Sequence, residues 1–169
     1  MNHIKKLTTA GILVAVGVTL SPFSIPVGVA RCFPVQHMIN VIAGVLLGPG
    51  YAVIMAFTTS SIRNILGTGT LLAFPGSMLG ALLAGLAAKH TRGKLYPACA
   101  GELIGTGVLG ALAAYPIAAF ILGREVAIFA FVIPFTVSSI GGAVIAFALL
   151  AVLLRTGVFS TLRTQSCNK

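Results

Sequence analysis

The chain has 169 residues, of which 57% are hydrophobic and 8% charged, with 11 Lys and Arg against 2 Asp and Glu and a mean hydropathy of +1.06. Soluble domains carry about 25% charged residues, so this composition describes a single unit, residues 1–169, whose solvent is lipid. The net charge of +9 does not indicate a nucleic-acid partner, because the basic residues are scattered between apolar runs rather than gathered on one face among aromatic side chains.

Residues 1–30, MNHIKKLTTAGILVAVGVTLSPFSIPVGVA, imitate a secretory leader: two lysines, an apolar stretch, then small residues at Gly28 and Ala30. The chain that follows is itself apolar, and a first helix with a cytoplasmic basic flank accounts for the same features. Charged positions leave neutral runs at 7–30, 32–62, 64–88, 103–123 and 126–154, each as long as the roughly 20 residues a membrane-crossing helix needs. No inside/outside alternation of the barrel kind appears. Gly-rich apolar stretches such as VLGALAAYPI suit helices packed closely on one another.

The run 32–62 reads either as one long helix or as two short ones joined at Gly48 to Tyr51, and charge decides between them. Two helices make six spans, at roughly 7–21, 36–48, 51–66, 74–88, 95–121 and 127–154. With a cytoplasmic N-terminus, Lys5, Lys6, Lys89, Arg92, Lys94, Arg155, Arg163 and Lys169 then lie inside and only Arg31, Arg63 and Arg124 outside. Five spans would instead put four basic residues inside and seven outside, against the positive-inside tendency. The expectation is an all-α membrane protein of six transmembrane helices, multi-pass in the cell membrane, with both termini cytoplasmic.

At 1.5 Å per residue, spans two and three cover only about 20–24 Å of a hydrocarbon core near 30 Å. Irregular backbone must therefore enter the outer half of the membrane, where it is tolerated only if it is buried in protein or lines a cavity. This predicts an outward-facing binding pocket, with the polar stretch ARCFPVQHMIN, residues 30–40, at its mouth.

Three segments carry the candidate ligand contacts. The first supplies Arg31, Phe33, His37 and Asn40, with His37 and Asn40 three apart on one helix face. The second, TSSIRNILGTGTLLAFPGS, supplies Arg63, Asn64, Thr68 and Phe74. The third, GELIGTGVLGALAAYP, supplies Glu102, Thr106 and Tyr115. Arg31 and Arg63 also read as interface anchors, and His37 with Asn40 as an internal hydrogen-bonding pair. Phe33, Phe74 and Tyr115 each precede a proline, which fixes the backbone beside an aromatic ring. Glu102 is a carboxylate within a neutral segment, costly unless partnered; pairing with Arg63, holding a ligand and carrying a coupling proton are all open to it. Glu125, beside Arg124, reads as a solvated charge. On the first helix, Gly11 and Ala15 stand four apart and offer a flat surface for close helix contact.

Cys32, Cys99 and Cys167 form no metal-binding spacing, and neither a metal nor a cofactor is expected. The chain lacks a GxxxxGK[ST] phosphate loop, an HExxH pair and a nucleophile elbow. That leaves binding or transport rather than enzymatic chemistry, with any ATP-driven motor on another chain.

The segments ARCFPVQHMINVIAGVLLGPGYAV, SSIRNILGTGTLLAFPGSMLGALLAG and GELIGTGVLGALAAYP closely resemble the ThiW family of substrate-binding S components of energy-coupling factor (ECF) transporters, and the likeness extends over essentially the whole chain. The resemblance implies a six-helix S-component bundle, a first external loop that caps the ligand, and a small-residue motif on the first helix that docks on a T component working with two ABC-type ATPases. Gly11 and Ala15 stand at that motif, with Gly where Ala is usual. The implied ligand is a thiazole precursor of thiamin, hydroxyethylthiazole. The alternatives are a small proton-coupled secondary carrier using Glu102 and a structural subunit without a ligand.

Overall fold

The computed structural model describes residues 3–28 and 30–155; Arg163, Cys167 and Lys169 lie outside the described residues. The described chain is mostly helical. Its elements are α1 (His3–Thr19), a hairpin of β1 (Ile25–Val27) and β2 (Ala30–Cys32), α2 (Pro34–Leu47), α3 (Pro49–Ile65), α4 (Ala73–His90), α5 (Leu95–Ile121) and α6 (Val132–Arg155).

The break expected near Gly48 is present. Pro34 and Pro49 each occupy the first turn of a helix, where the missing N–H costs nothing. Between them Gly48, at φ +88°, takes the left-handed backbone that separates α2 from α3. The last expected span starts later than 127, because residues 128–131 form a turn that buries Phe131 against α5. The hairpin was not foreseen as regular structure. It pairs Ile25 with Cys32, Pro26 with Arg31 and Val27 with Ala30. Its far edge is pinned to α6, where the Phe33 N–H donates to Ser138 Oγ (2.7 Å) and Cys32 Sγ donates to the Pro134 carbonyl (3.1 Å).

The central element is α2, which touches every other helix and buries Gln36, His37, Ile39, Asn40, Val41, Ile42, Ala43, Gly44 and Leu47. Its polar first turn is therefore inside the protein. Helices α4 and α5 pack through small residues. A methyl at Gly105 would meet the Leu79 carbonyl oxygen at 2.5 Å, and one at Gly110 would meet Gly76 Cα at 2.5 Å. From Leu103 to Gly110, α5 widens into π-type turns, a distortion common at functional sites; it begins directly after Glu102.

Helices α5 and α6 are each long and apolar enough to cross a membrane, and α2 is a shorter apolar helix. Large apolar side chains cover the outer faces of the bundle, among them Ile54, Phe120, Ile133 and Val144.

Candidate functional site

The first turn of α2, the end of α3, the start of α4 and the start of α6 meet beneath the hairpin around a cavity of about 330 Å³. That volume is at the lower end of the range for small-molecule pockets. The hairpin contributes Pro26, Gly28, Ala30 and Arg31, and the entry to α2 contributes Phe33, Gln36 and His37. Arg63 comes from α3, while Leu72, Gly76 and Ser77 come from α4 and its approach. Phe135 and Ser138 of α6, with Arg124 from the loop before it, complete the wall.

Beneath the cavity lies a polar network centred on Glu102, which is fully buried. Its Oε1 lies 2.8 Å from His37 Nδ1 and accepts from Asn40 Nδ2 at 3.1 Å. A carboxylate acceptor assigns the imidazole proton to Nδ1. Thr106 Oγ1 lies 2.9 Å from the same oxygen and 3.0 Å from the Gly76 carbonyl, so its single proton serves one acceptor at a time. Asn40 also donates to the Ser77 carbonyl (3.1 Å). Glu102 Oε2 has no hydrogen-bond partner among the described residues, and it faces Gly80, where a methyl would come within 2.7 Å of it. The pairing with Arg63 that the sequence left open does not form; the carboxylate is matched by His37 instead.

Arg63 is 1% exposed. Its guanidinium lies over the Phe33 ring, 3.9 Å from the centroid, and Nη1 donates to Gln36 Oε1 at 3.1 Å. Gln36 in turn reaches Asn40 Oδ1 at 3.4 Å, a long contact at the limit of hydrogen bonding. One polar chain thus runs from α3 through α2 to α5.

Of the candidate residues, Arg31, Phe33, His37 and Arg63 line the cavity, and Asn40, Glu102 and Thr106 form the layer below it. The other four belong to neither group. Asn64 Nδ2 donates to the carbonyls of Ser60 and Thr70, and Thr68 Oγ1 bonds Ser21 Oγ and the Arg63 carbonyl. These two shape the turn after α3, in which the N–H groups of Thr68 and Gly69 both donate to the Arg63 carbonyl. Phe74 packs on Phe57, with ring centroids 5.6 Å apart. Tyr115 sits half-buried on α5. Sequence reasoning did not select Gln36, Ser77, Arg124, Phe135 or Ser138 as contacts. Gln36 was visible as one of the polar residues in an apolar run, but Ser77 and Ser138 carried no local signal, being small residues in helices full of them.

Gly11 and Ala15 are exposed on α1, and a methyl at Gly11 would meet nothing within 4 Å. On the same helix Gly17 is the internal contact, packed against Thr59 and Ile39.

Comparison with protein families matches residues 7–156 to ThiW, described as thiamine-precursor transporter protein. No curated protein and no solved structure matches the chain. With nearly its full length covered, and with a small-molecule-sized cavity in an apolar helical bundle, the chain belongs to the ThiW family of thiamine-precursor transporters.

Proposed function

We propose that this protein is the substrate-binding S component of an ECF-type importer, that it spans the cell membrane six times with both termini in the cytoplasm, and that it captures hydroxyethylthiazole from outside. The observation that carries the reading is the placement of the cavity relative to charge. Lys5, Lys6, Lys89, Arg92, Lys94 and Arg155 sit at the helix ends remote from the cavity, whereas Arg31, Arg63 and Arg124 sit at the cavity end. By the positive-inside tendency the cavity then opens outward, beneath a hairpin that covers it. Helices α2 and α3, about 21 and 26 Å long at 1.5 Å per residue, leave it room within the membrane.

In this reading a thiazole ring packs against Phe33 and Phe135, its polar substituents meet His37, Ser77 and Ser138, and the Glu102 network holds the His37 ring in place. The exposed face of α1 at Gly11 and Ala15 receives the T component, which works with two ATPase subunits. The test is uptake by reconstituted vesicles. Accumulation of hydroxyethylthiazole should require the T component, the ATPases and ATP. Accumulation by this chain alone, driven by a proton gradient, would replace the reading with that of a secondary carrier.

A further inference from the structure

We propose that the cavity takes its ligand as an anion, a thiazole precursor bearing a phosphate ester or a carboxylate, with the oxyanion seated at Arg63 and faced by Arg31 and Arg124. This rests on the reading of the cavity as the ligand site and changes it in one respect: the preferred ligand is an anionic relative of hydroxyethylthiazole rather than the neutral alcohol.

Arg63 lines the cavity and is almost wholly buried, and its Nε and Nη2, themselves sealed from solvent, have no hydrogen-bond acceptor among the described residues. Among the described residues its guanidinium makes one hydrogen bond, Nη1 to Gln36 Oε1, and one cation–π contact, with the face of Phe33. A buried guanidinium whose Nε and Nη2 are left unpartnered carries the unused donor fork that carboxylates and phosphates fill bidentately, once side chains at the cavity wall shift to admit one.

The surroundings add positive charge and no negative charge. Arg31 from the hairpin and Arg124 from the loop between α5 and α6 reach the same cavity from two other elements, and no Asp or Glu lines it. Of the two acidic residues of the chain, Glu102 is held below the cavity by His37, and Glu125, next to Arg124 in the chain, is exposed and outside the lining. A neutral thiazole alcohol offers Arg63 an acceptor but no countercharge, whereas an oxyanion supplies both. Arg63 as a mere strut between α3 and α2 would need only the bond to Gln36, and would explain neither the unpartnered donors nor the two further arginines.

The experiment is calorimetric titration of the detergent-solubilised protein with three probes: hydroxyethylthiazole, its phosphate monoester and 4-methylthiazole-5-acetate. At least one anion should bind tenfold or more tightly than the alcohol, and that preference should fall to threefold or less in Arg63→Gln. If Arg63→Gln does not fold, the double variant Arg31→Gln/Arg124→Gln, at two exposed positions, carries the same test by a reduced preference and a flattened salt dependence. Alcohol binding as tight as that of both anions overturns the inference and leaves the thiazole reading standing. Equal weakening of alcohol and anions in Arg63→Gln returns Arg63 to a strut and also overturns it. Failure of all three probes to bind overturns both readings.

Discussion

At the scale of single residues, the site depends on how one buried carboxylate is satisfied. Glu102 Oε1 gathers donors from α2 and α5, while Oε2 rests against the bare Cα of Gly80. Deleting the carboxylate orphans the His37 Nδ1–H, while Asn40 and Thr106 keep the Ser77 and Gly76 carbonyls, so Glu102→Ala should cost roughly 1–3 kcal/mol, measured by thermal unfolding in detergent. Gly80→Ala should cost about 1–3 kcal/mol, because the methyl displaces the Glu102 and Thr106 side chains and the close packing of α4 on α5 gives no room. An unchanged melting temperature in Gly80→Ala would mean that the carboxylate has another place to go. His37 differs from both because it faces the cavity as well as Glu102. His37→Gln, which keeps a donor for Glu102, should weaken ligand binding about tenfold, ~1.4 kcal/mol, while the protein stays extractable and folded; wild-type affinity would confine His37 to a structural role. The sequence made Glu102, His37 and Asn40 conspicuous, since polar side chains in an apolar run need a partner. Which of them met which depended on α5 crossing α2 at that level, and Arg63, the obvious ionic mate by charge, lies instead on the Phe33 ring.

At the scale of elements, α1 divides its small residues between two jobs. Gly17 packs inward against Thr59 and Ile39, while Gly11 and Ala15 face outward with neighbouring apolar side chains such as Ile12 and Val16. If that outer face docks on a membrane partner, Gly11→Trp or Ala15→Trp should abolish ATP-dependent uptake and leave ligand affinity within about twofold of wild type. Parallel loss of binding would show that α1 shapes the pocket instead. The break near Gly48 was legible through the count of basic residues on each side of the membrane, and the structure makes it with Pro49 and the left-handed backbone of Gly48. The hairpin was not: IPV and ARC are three-residue strands, too short for an alternation signal, and their order comes from being pinned to Ser138 and Pro134, about a hundred positions later in the chain.

For the whole molecule, the decisive property is which end of the bundle faces outside. Cys32 is a poor reporter: it is 1% exposed, and burial pushes its thiol above the ordinary cysteine range, partly offset by a hydrogen bond with the Ser138 backbone. Thiolate chemistry there should be slow. Cysteines placed at exposed positions answer better. Phe23→Cys, before the hairpin, should react with a membrane-impermeant maleimide on intact cells, and Lys94→Cys, between α4 and α5, should react only after permeabilisation. The reverse pattern would invert the topology and turn the cavity toward the cytoplasm.

Composition and charge spacing by themselves determined the solvent, the helical class, the division of the long second neutral run into two short helices, and the neighbourhood of the polar site. Each of these follows from local chemistry or from a sum over the chain. Only the tertiary structure decided that Gln36, Ser77, Ser138 and Arg124 share a wall with His37 and Arg63, that Asn64 and Thr68 spend their hydrogen bonds on a turn, and that Phe74 and Tyr115 stand apart from the cavity. The reason is geometric: a cavity is lined by residues far apart in sequence, and in a bundle packed through glycine the facing of each helix is set by neighbours that no local pattern records.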